Sequence, residues 1–447
     1  MKRRISSLIL LVVFLLAASS CSNRQVLLFL NWGEYIDESL IEAFEKKENC
    51  TVVMDLGESN EIFYSKVSGG TTVYDVVCPS DYMVEKMVQR DMLSKIDLDL
   101  VPTYKEYLEK QQLLAGVQSI AGLLEAQVEG ISEYYVPYLW GTWGIMYSTR
   151  KAGLEEAVLT QENAWSSLFD RSSLPANTRV AMYDSHQHAY YAACRYLGLN
   201  HTEQLSSEEL KKVHDLVKTM DFDAWGTDNI KKDIVAQNID LGFMWTGDFL
   251  YYYCETIADI VIDAYINGGL TIDKFADMIH ALTKTDGRYT VNGTDYTVGF
   301  DIFIPEDTIA FCDNLVITKD ASHKDLAHKF IDFMCSQTLE VGEDEVRPAY
   351  ANTYYVCYNT PYLPIYEEII SLSAEEFTIS DETGYQEERK NGTQVLDTTL
   401  YNKIYDYATG LAFQKYYPKN EVKGSILQAF PRSYVNTINT TFNNARA

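Results

Sequence analysis

The chain has 447 residues, 47% of them hydrophobic and 13% aromatic. That is ample for packed cores over two to three lobes of about 100–200 residues each, and it excludes disordered, collagenous and low-complexity architectures. With 64 acids against 37 bases the net charge is −27, a field that repels nucleic acid and attracts cations. Tyrosine is the outlier, 33 Tyr against 18 Phe, and it suits surfaces that are half apolar and half hydrogen-bonding.

Residues 1–20 read as a signal peptide. Lys2, Arg3 and Arg4 form a basic start, residues 8–18 an unbroken apolar run, and Ser19 and Ser20 a small-residue cleavage site. The run is too short for a transmembrane span, and no later stretch is apolar enough to be one. Ala18-Ser19-Ser20-Cys21 resembles a bacterial lipobox, with Ala18 where leucine is usual. The resemblance implies cleavage before Cys21 and diacylglyceryl attachment to it, and two or more acyl chains anchor stably. The other seven cysteines show no Cys-x-x-Cys or zinc spacing. An odd number cannot all pair. Their apolar settings, such as Val76-Val77-Cys78, favour small buried hydrophobes.

Residues 26–30 read as a strand. Asp37 caps a helix carrying Leu40, Ile41 and Phe44, and residues 51–54 form a second strand. Residues 60–68 are helical and are broken by Gly69-Gly70. Residues 74–78, apolar except for Asp75, fit a buried parallel strand, and a helix follows over 82–90. This alternation argues for a doubly wound α/β lobe. Residues 104–128 look helical and then loop-like. Residues 134–146 are extended and aromatic, although Pro137 argues against an ordinary central strand. A strand over 180–183, a helix over 187–197 ended by Gly198, a helix opened by Ser206 to Glu209 and a strand over 239–245 repeat the α/β rhythm. Beyond it come an irregular helical stretch, a hairpin at Asn292-Gly293, a strand over 315–318, an amphipathic helix over 324–336 and a final helix over 433–444. Residues 373–398 are polar and poorly patterned.

Catalytic signatures are missing: no G-x-S-x-G, Walker loop, G-x-G-x-x-G or H-E-x-x-H is present. His186 and His188 make one H-x-H with no third ligand in view, so no metal site is expected. Strand ends run repeatedly into aromatic and polar turns: Asn31-Trp32-Gly33-Glu34-Tyr35, Pro79-Ser80-Asp81-Tyr82, Met182-Tyr183-Asp184-Ser185, Met244-Trp245-Thr246-Gly247-Asp248 and Phe311-Cys312-Asp313-Asn314. In doubly wound lobes such ends face the ligand crevice. Aromatic walls with a few carboxylates form a box for an alkylammonium, because ring faces attract the cation and carboxylates pair the amine ends.

The N-W-G-E-Y run at 31–35, E-S-N-E at 58–61, Y-D-V-V-C-P-S-D-Y at 74–82, V-P-Y-L-W-G-T at 136–142 and the strand-ending G-x-M-W at 242–245 resemble the polyamine-binding proteins, the spermidine/putrescine substrate-binding components of bacterial ABC importers. The likeness runs in order over 26–250, resumes at 311–335 and again at Tyr358-Asn359-Thr360-Pro361. It implies a periplasmic-binding-protein-like fold of type II, in which two doubly wound α/β lobes are joined by a two-strand hinge and close on the ligand. One lobe would take 26–138 and 312–358, the other 139–311 and 359–447, with expansions near 255–300 and 373–425. By motif, Trp32, Gly33, Glu34 and Tyr35 would line one side of the cleft, and Ser80, Asp81 and Tyr82 would add a wall. Trp245 and Phe311 would sandwich the methylene chain; tryptophan is common in the family where Phe311 stands. Asp313 would pair an amine and Tyr358 would close the box. Thr227, Asp184 or Ser185, and Gln428 would add polar contacts. His188 stands where the spermidine-type pattern places an acid, which points either to a shorter diamine or to another amine.

The expectation is therefore a monomeric, lipid-anchored binding protein on the extracytoplasmic face, serving a permease, without cofactor or catalysis. A sensor, or a binding protein for another cationic amine, shares every feature read here. An anchored hydrolase using a carboxylate pair is the reading from a different class.

Overall fold

The computed structural model describes residues 24–285, 287–374, 377, 388–390, 393–395, 398–417 and 424–446. The expected signal peptide, Cys21 and most of 373–398 lie outside the described residues.

Strand β1 (Val26–Asn31) leads to helix α1 (Glu38–Glu48), β2 (Thr51–Leu56), α2 (Asn60–Gly69), β3 (Val76–Val77) and α3 (Asp81–Gln89). The Asp37 carboxylate accepts the Ser39 N–H at 3.0 Å and caps α1. Gly70, at φ +66°, ends α2 in the left-handed region. Asp75 is fully buried because its carboxylate accepts the backbone N–H groups of Leu28 and His323. After β4 (Leu93–Ser94) come α4 (Pro102–Glu109) and α5 (Ala115–Gln127), where the sequence suggested a helix and then a loop. The glycines of α5 blur its pattern. Gly116 is needed, since a Cβ there would sit 2.5 Å from the Trp140 ring.

Strand β5 (Val136–Ser148) is buried along its whole length. It contains Pro137, so the expectation from proline is overturned. The pairing of β5 with β12 (Ala310–Thr318) shifts register between Asp313/Leu139 and Asn314/Pro137, leaving Tyr138 as a bulge. Asn314 directs its amide N–H to the Pro79 carbonyl at 2.9 Å, so the ladder asks no donor of the proline. The Pro137 carbonyl accepts the Tyr362 hydroxyl instead.

Helices α6 (Leu154–Leu159) and α7 (Ser166–Phe169) precede the second α/β series: β6 (Val180–Tyr183), α8 (His186–Leu197), α9 (Ser207–Met220), β7 (Ala224–Gly226), α10 (Asp228–Val235), β8 (Leu241–Trp245) and α11 (Thr246–Asp263). Ser206 and Glu209 form the capping box that opens α9. The strand order is β2-β1-β3-β12-β5-β8-β6-β7. β1, β2 and β3 are parallel at one end, and β8, β6 and β7 at the other. The antiparallel pair β5 and β12 joins the two ends. This is the two-lobed arrangement with two crossing strands.

Within the first expansion, α12 (Phe275–Leu282) is followed by the hairpin β9 (Arg288–Val291) and β10 (Thr294–Thr297), which turns at Asn292-Gly293 with both φ values positive. β11 (Phe300–Phe303) then pairs with β5. Helices α13 (Lys324–Cys335), α14 (Pro348–Val356) and α15 (Leu363–Ser371) follow β12. α16 (Thr398–Tyr416), in the second expansion, packs on α11, α12 and α15, so the described parts of the two expansions cover each other. The last helix, α17 (Arg432–Arg446), lies against α8 and α9. Among the described residues no helix is long and apolar enough to cross a membrane. The seven described cysteines are all buried and unpaired.

Candidate functional site

The crossing strand β12 carries Asp313 to the carboxyl ends of β1 and β3. Its side chain is only 5% exposed. Oδ2 accepts the Tyr35 hydroxyl at 2.8 Å and Oδ1 accepts the Ser80 hydroxyl at 2.5 Å. Ser80 is held in turn by Asn60, which accepts its N–H and donates to its Oγ, each at 3.0 Å. Burial pushes the Asp313 carboxyl up to about 6, although both hydroxyls pull the other way. No cationic side chain contributes to that shift. A desolvated carboxylate held only by neutral hydroxyls has unspent capacity for a cation.

Aromatic rings run away from it in sequence. Tyr35 packs edge-on against Tyr358, with centroids 5.1 Å apart, and Tyr358 lies 6.0 Å from Phe311. Phe311 meets Trp245 at 4.5 Å, and Trp245 meets Trp143 at 3.8 Å. Two glycines seat these rings. A Cβ on Gly141 would lie 3.1 Å from the Phe311 ring, and one on Gly247 would lie 2.3 Å from the Tyr358 ring. The structure thus brings Tyr35, Ser80, Trp245, Phe311, Asp313 and Tyr358 together as one cluster.

The expected sandwich is not formed. Carbon atoms touch at about 3.5–4.0 Å, so two rings flanking a methylene chain stand about 7–8 Å apart. Trp245 and Phe311 are in edge-to-face contact with each other and make a single wall. Asp81 does not face the cluster with a free carboxylate. Its Oδ1 accepts its neighbour Tyr82 N–H and its Oδ2 the Cys312 N–H, which ties α3 to the crossing strand. Burial, with Asp313 adding to it, raises Asp81 to about 8. Asp184 is not free either: Arg446 of α17 pairs with it at 2.8 Å. Ser185 bonds the His188 ring nitrogen at 2.7 Å. His188 is buried 4.4 Å from the Trp143 ring, and desolvation lowers it to about 3, so it is neutral at physiological pH.

The remaining residues sit further out. Trp32 is half-buried on Phe63 at 4.4 Å. Gly33 and Glu34 are exposed, with Glu34 at φ +54°. The Tyr82 hydroxyl reaches Glu61 at 3.4 Å. Thr227 is exposed ahead of α10, its N–H bonded to Asn229. Gln428 is half-buried, and its carbonyl accepts from Gln187.

The sequence reading did not single out Trp143, which ends the run of rings, nor an ion pair at the start of α11. Asp248, in the first turn of α11, pairs with Lys231 of α10 at 3.0 Å. Asp248 lay within a strand-end turn already singled out, which was the available signal. Lys231 had none, because its relation to Asp248 exists only once α10 and α11 pack. Among the described residues no group of His, Cys, Asp and Glu could hold a metal ion.

The sequence pattern of the bacterial extracellular solute-binding proteins matches residues 30–338, more than half of the chain. The chain belongs to that family. Among relatives of this solute-binding protein, the putrescine-binding periplasmic protein SpuD of Pseudomonas aeruginosa is 28% identical over 320 residues, 71% of this chain and 75% of that one. The putrescine-binding periplasmic protein PotF of Escherichia coli is 25% identical over 321 residues, 70% of this chain and 74% of that one. Among solved structures, the Tp0655 (TpPotD) lipoprotein of Treponema pallidum superposes with a TM-score of 0.58 at 20% identity, covering 94% of this chain and 99% of that one. The spermidine/putrescine ABC transporter substrate-binding protein PotD of Streptococcus pneumoniae gives 0.56 at 20% identity, covering 95% and 100%. The periplasmic-binding-protein-like fold expected from the sequence is therefore the observed one.

Proposed function

We propose that this solute-binding protein captures a polyamine, putrescine or spermidine, and delivers it to the permease of an ABC importer. The reading rests on one observation above the others: Asp313 is a buried carboxylate held by two hydroxyls, with no cationic side chain among the described residues acting on it, at the end of a run of aromatic rings. An ammonium at Asp313 would complete the charge pair that burial calls for. The rings of Tyr35, Tyr358, Phe311 and Trp245 would cover the attached methylenes. The polyamine that several relatives are named for supports the same ligand class.

In this reading Trp32, Gly33, Glu34 and Tyr82 belong to the rim that meets the ligand when the lobes close. Thr227, Ser185 and Gln428 lie on the opposing side. The lobes are 26–138 with 312–358 and 139–311 with 359–447, moving about β5 and β12. No bond is made or broken. The protein works as a monomer, held at the extracytoplasmic face of the membrane by lipid on Cys21. Calorimetric titration of the chain from Ser22 with putrescine, cadaverine, spermidine and spermine tests the reading. One-to-one binding of at least one of them is expected, and silence from folded protein across all four would remove the polyamine assignment.

A further inference from the structure

Strand β5 lies between β12 and β8, and its pairing fixes which rings meet. Gly141 stands opposite Phe311 of β12, and Trp143 stands opposite Trp245 of β8. Residues 141 and 143 share one face of the strand, because side chains alternate along it. On that face the smallest residue is therefore followed by the largest. The bare Gly141 lets the Phe311 ring lie across β5, 3.1 Å from where a Cβ would stand. Trp143 acts on Trp245 in the opposite sense. Directly paired positions hold their Cβ atoms about 4.5–5.5 Å apart, and the two indoles are in contact with centroids 3.8 Å apart. Trp143 is fully buried and hemmed in by His188 at 4.4 Å, Phe243 at 4.6 Å and Tyr183 at 4.9 Å. Its backbone is fixed as well: its N–H donates to the Ile309 carbonyl, and its carbonyl accepts the Thr308 hydroxyl. The half-buried Trp245 is thus held between Trp143 and Phe311.

We propose that Trp143 is a positioning residue for ligand length: by filling the space behind Trp245 it keeps that ring against Phe311 and shuts the slot a long polyamine would thread. The inference rests on the amine-binding reading above. A chain anchored at Asp313 runs past Tyr358 and reaches the contact between Phe311 and Trp245. The ring centroids there are 4.5 Å apart, whereas a methylene chain between two rings needs about 7–8 Å. Phe311 is buried on Gly141, so the slot opens only if Trp245 moves back. Trp143 occupies the space into which it would move. Putrescine is covered before the contact is reached. Spermidine, which is putrescine lengthened by an aminopropyl arm, has to part the rings or leave that arm in water.

The test is the ratio of the putrescine and spermidine dissociation constants, measured by calorimetric titration. The unaltered protein is expected to prefer putrescine by about tenfold or more. Trp143→Ala gives Trp245 room to swing back, and the ratio should move toward spermidine by about tenfold or more. Trp143→Phe keeps a ring behind Trp245 and should hold the ratio within about threefold. If Trp143→Ala does not fold, Trp143→Leu takes its place, with a shift in the same direction. A Trp143 that served only the core would weaken both amines together and leave the ratio unchanged, and that result would overturn the proposal. So would an unaltered protein without the preference for putrescine, a measurement that needs no variant to fold. If neither amine binds the folded, unaltered protein, the amine reading itself falls and this inference falls with it.

Discussion

Replacing Asp313 with Asn separates the binding role of this carboxylate from its structural role. The carboxyl rises from its ordinary 3.8 to about 6 on folding. Keeping it ionised at neutral pH therefore costs the ligand-free fold about 3 kcal/mol relative to the unfolded chain. Asparagine removes that cost and nearly preserves shape. It trades two charge-assisted hydrogen bonds for weaker ones, a loss of about 1 kcal/mol. The ligand-free variant should be more stable by about 1–2 kcal/mol, read as a raised denaturation midpoint. Binding should move the other way. Losing one partner of a desolvated charge pair costs about 2–5 kcal/mol, roughly thirtyfold to several-thousandfold in Kd. Calorimetric titration with putrescine and spermidine, alongside denaturant melts, reads both. A Kd within about threefold of the original would refute the argument. So would lost affinity accompanied by an equal loss of stability, because Asp313 would then be only a structural anchor for Tyr35 and Ser80.

Affinity in the unaltered protein should be flat above pH 6 and fall as the pH drops below it, by about tenfold per unit. The sign follows because protons and the ammonium compete for one carboxylate whose ligand-free value is about 6; the profile should flatten in Asp313→Asn, and titrations across pH 4.5 to 8 would show whether it does. Gly247→Ala should weaken amine binding by about tenfold or more and destabilise the fold by about 1–3 kcal/mol, since the new methyl would lie 2.3 Å from the Tyr358 ring. A variant that is stabilised, as helix propensity alone would have it, with affinity intact, would show that Tyr358 has room to move. Asp184→Asn should leave affinity within about threefold, because Arg446 already holds that carboxylate and an exposed pair is worth at most about 1 kcal/mol. A large affinity loss there would return Asp184 to the ligand.

The local rhythm of β1 to α3 was readable because caps, glycine breaks and apolar alternation agree there: Asp37 caps, Gly70 stops, and residues 76–77 pair as expected. Pro137 misled because a proline is judged alone, whereas the bulge at Tyr138 that accommodates it depends on a partner strand far along the chain. The same distinction runs through the site. Tyr35 and Ser80 follow the carboxyl ends of β1 and β3, whereas Asp313, expected in a strand-end turn, lies within the crossing strand β12, which topology lays beside those ends. Asp81 looked identical in kind, yet its carboxylate is consumed by two backbone N–H groups, a matter of side-chain direction that residue type does not encode. Asp184 was claimed by an arginine from the last helix, and the Lys231–Asp248 pair joins two helices whose packing has no local signature.

The seven buried, unpaired cysteines give the native and unfolded chains very different redox chemistry. In the fold, desolvation raises thiols such as Cys78, Cys254 and Cys312 well above their ordinary value, so little nucleophilic thiolate is present. Once the chain opens, all seven become reactive at once. Alkylation of the thiols then acts as a clock for opening, and a bound ligand slows it by the factor with which it stabilises the native state. Wherever oxidants are present, occupancy of the cleft thus protects the protein against thiol cross-linking.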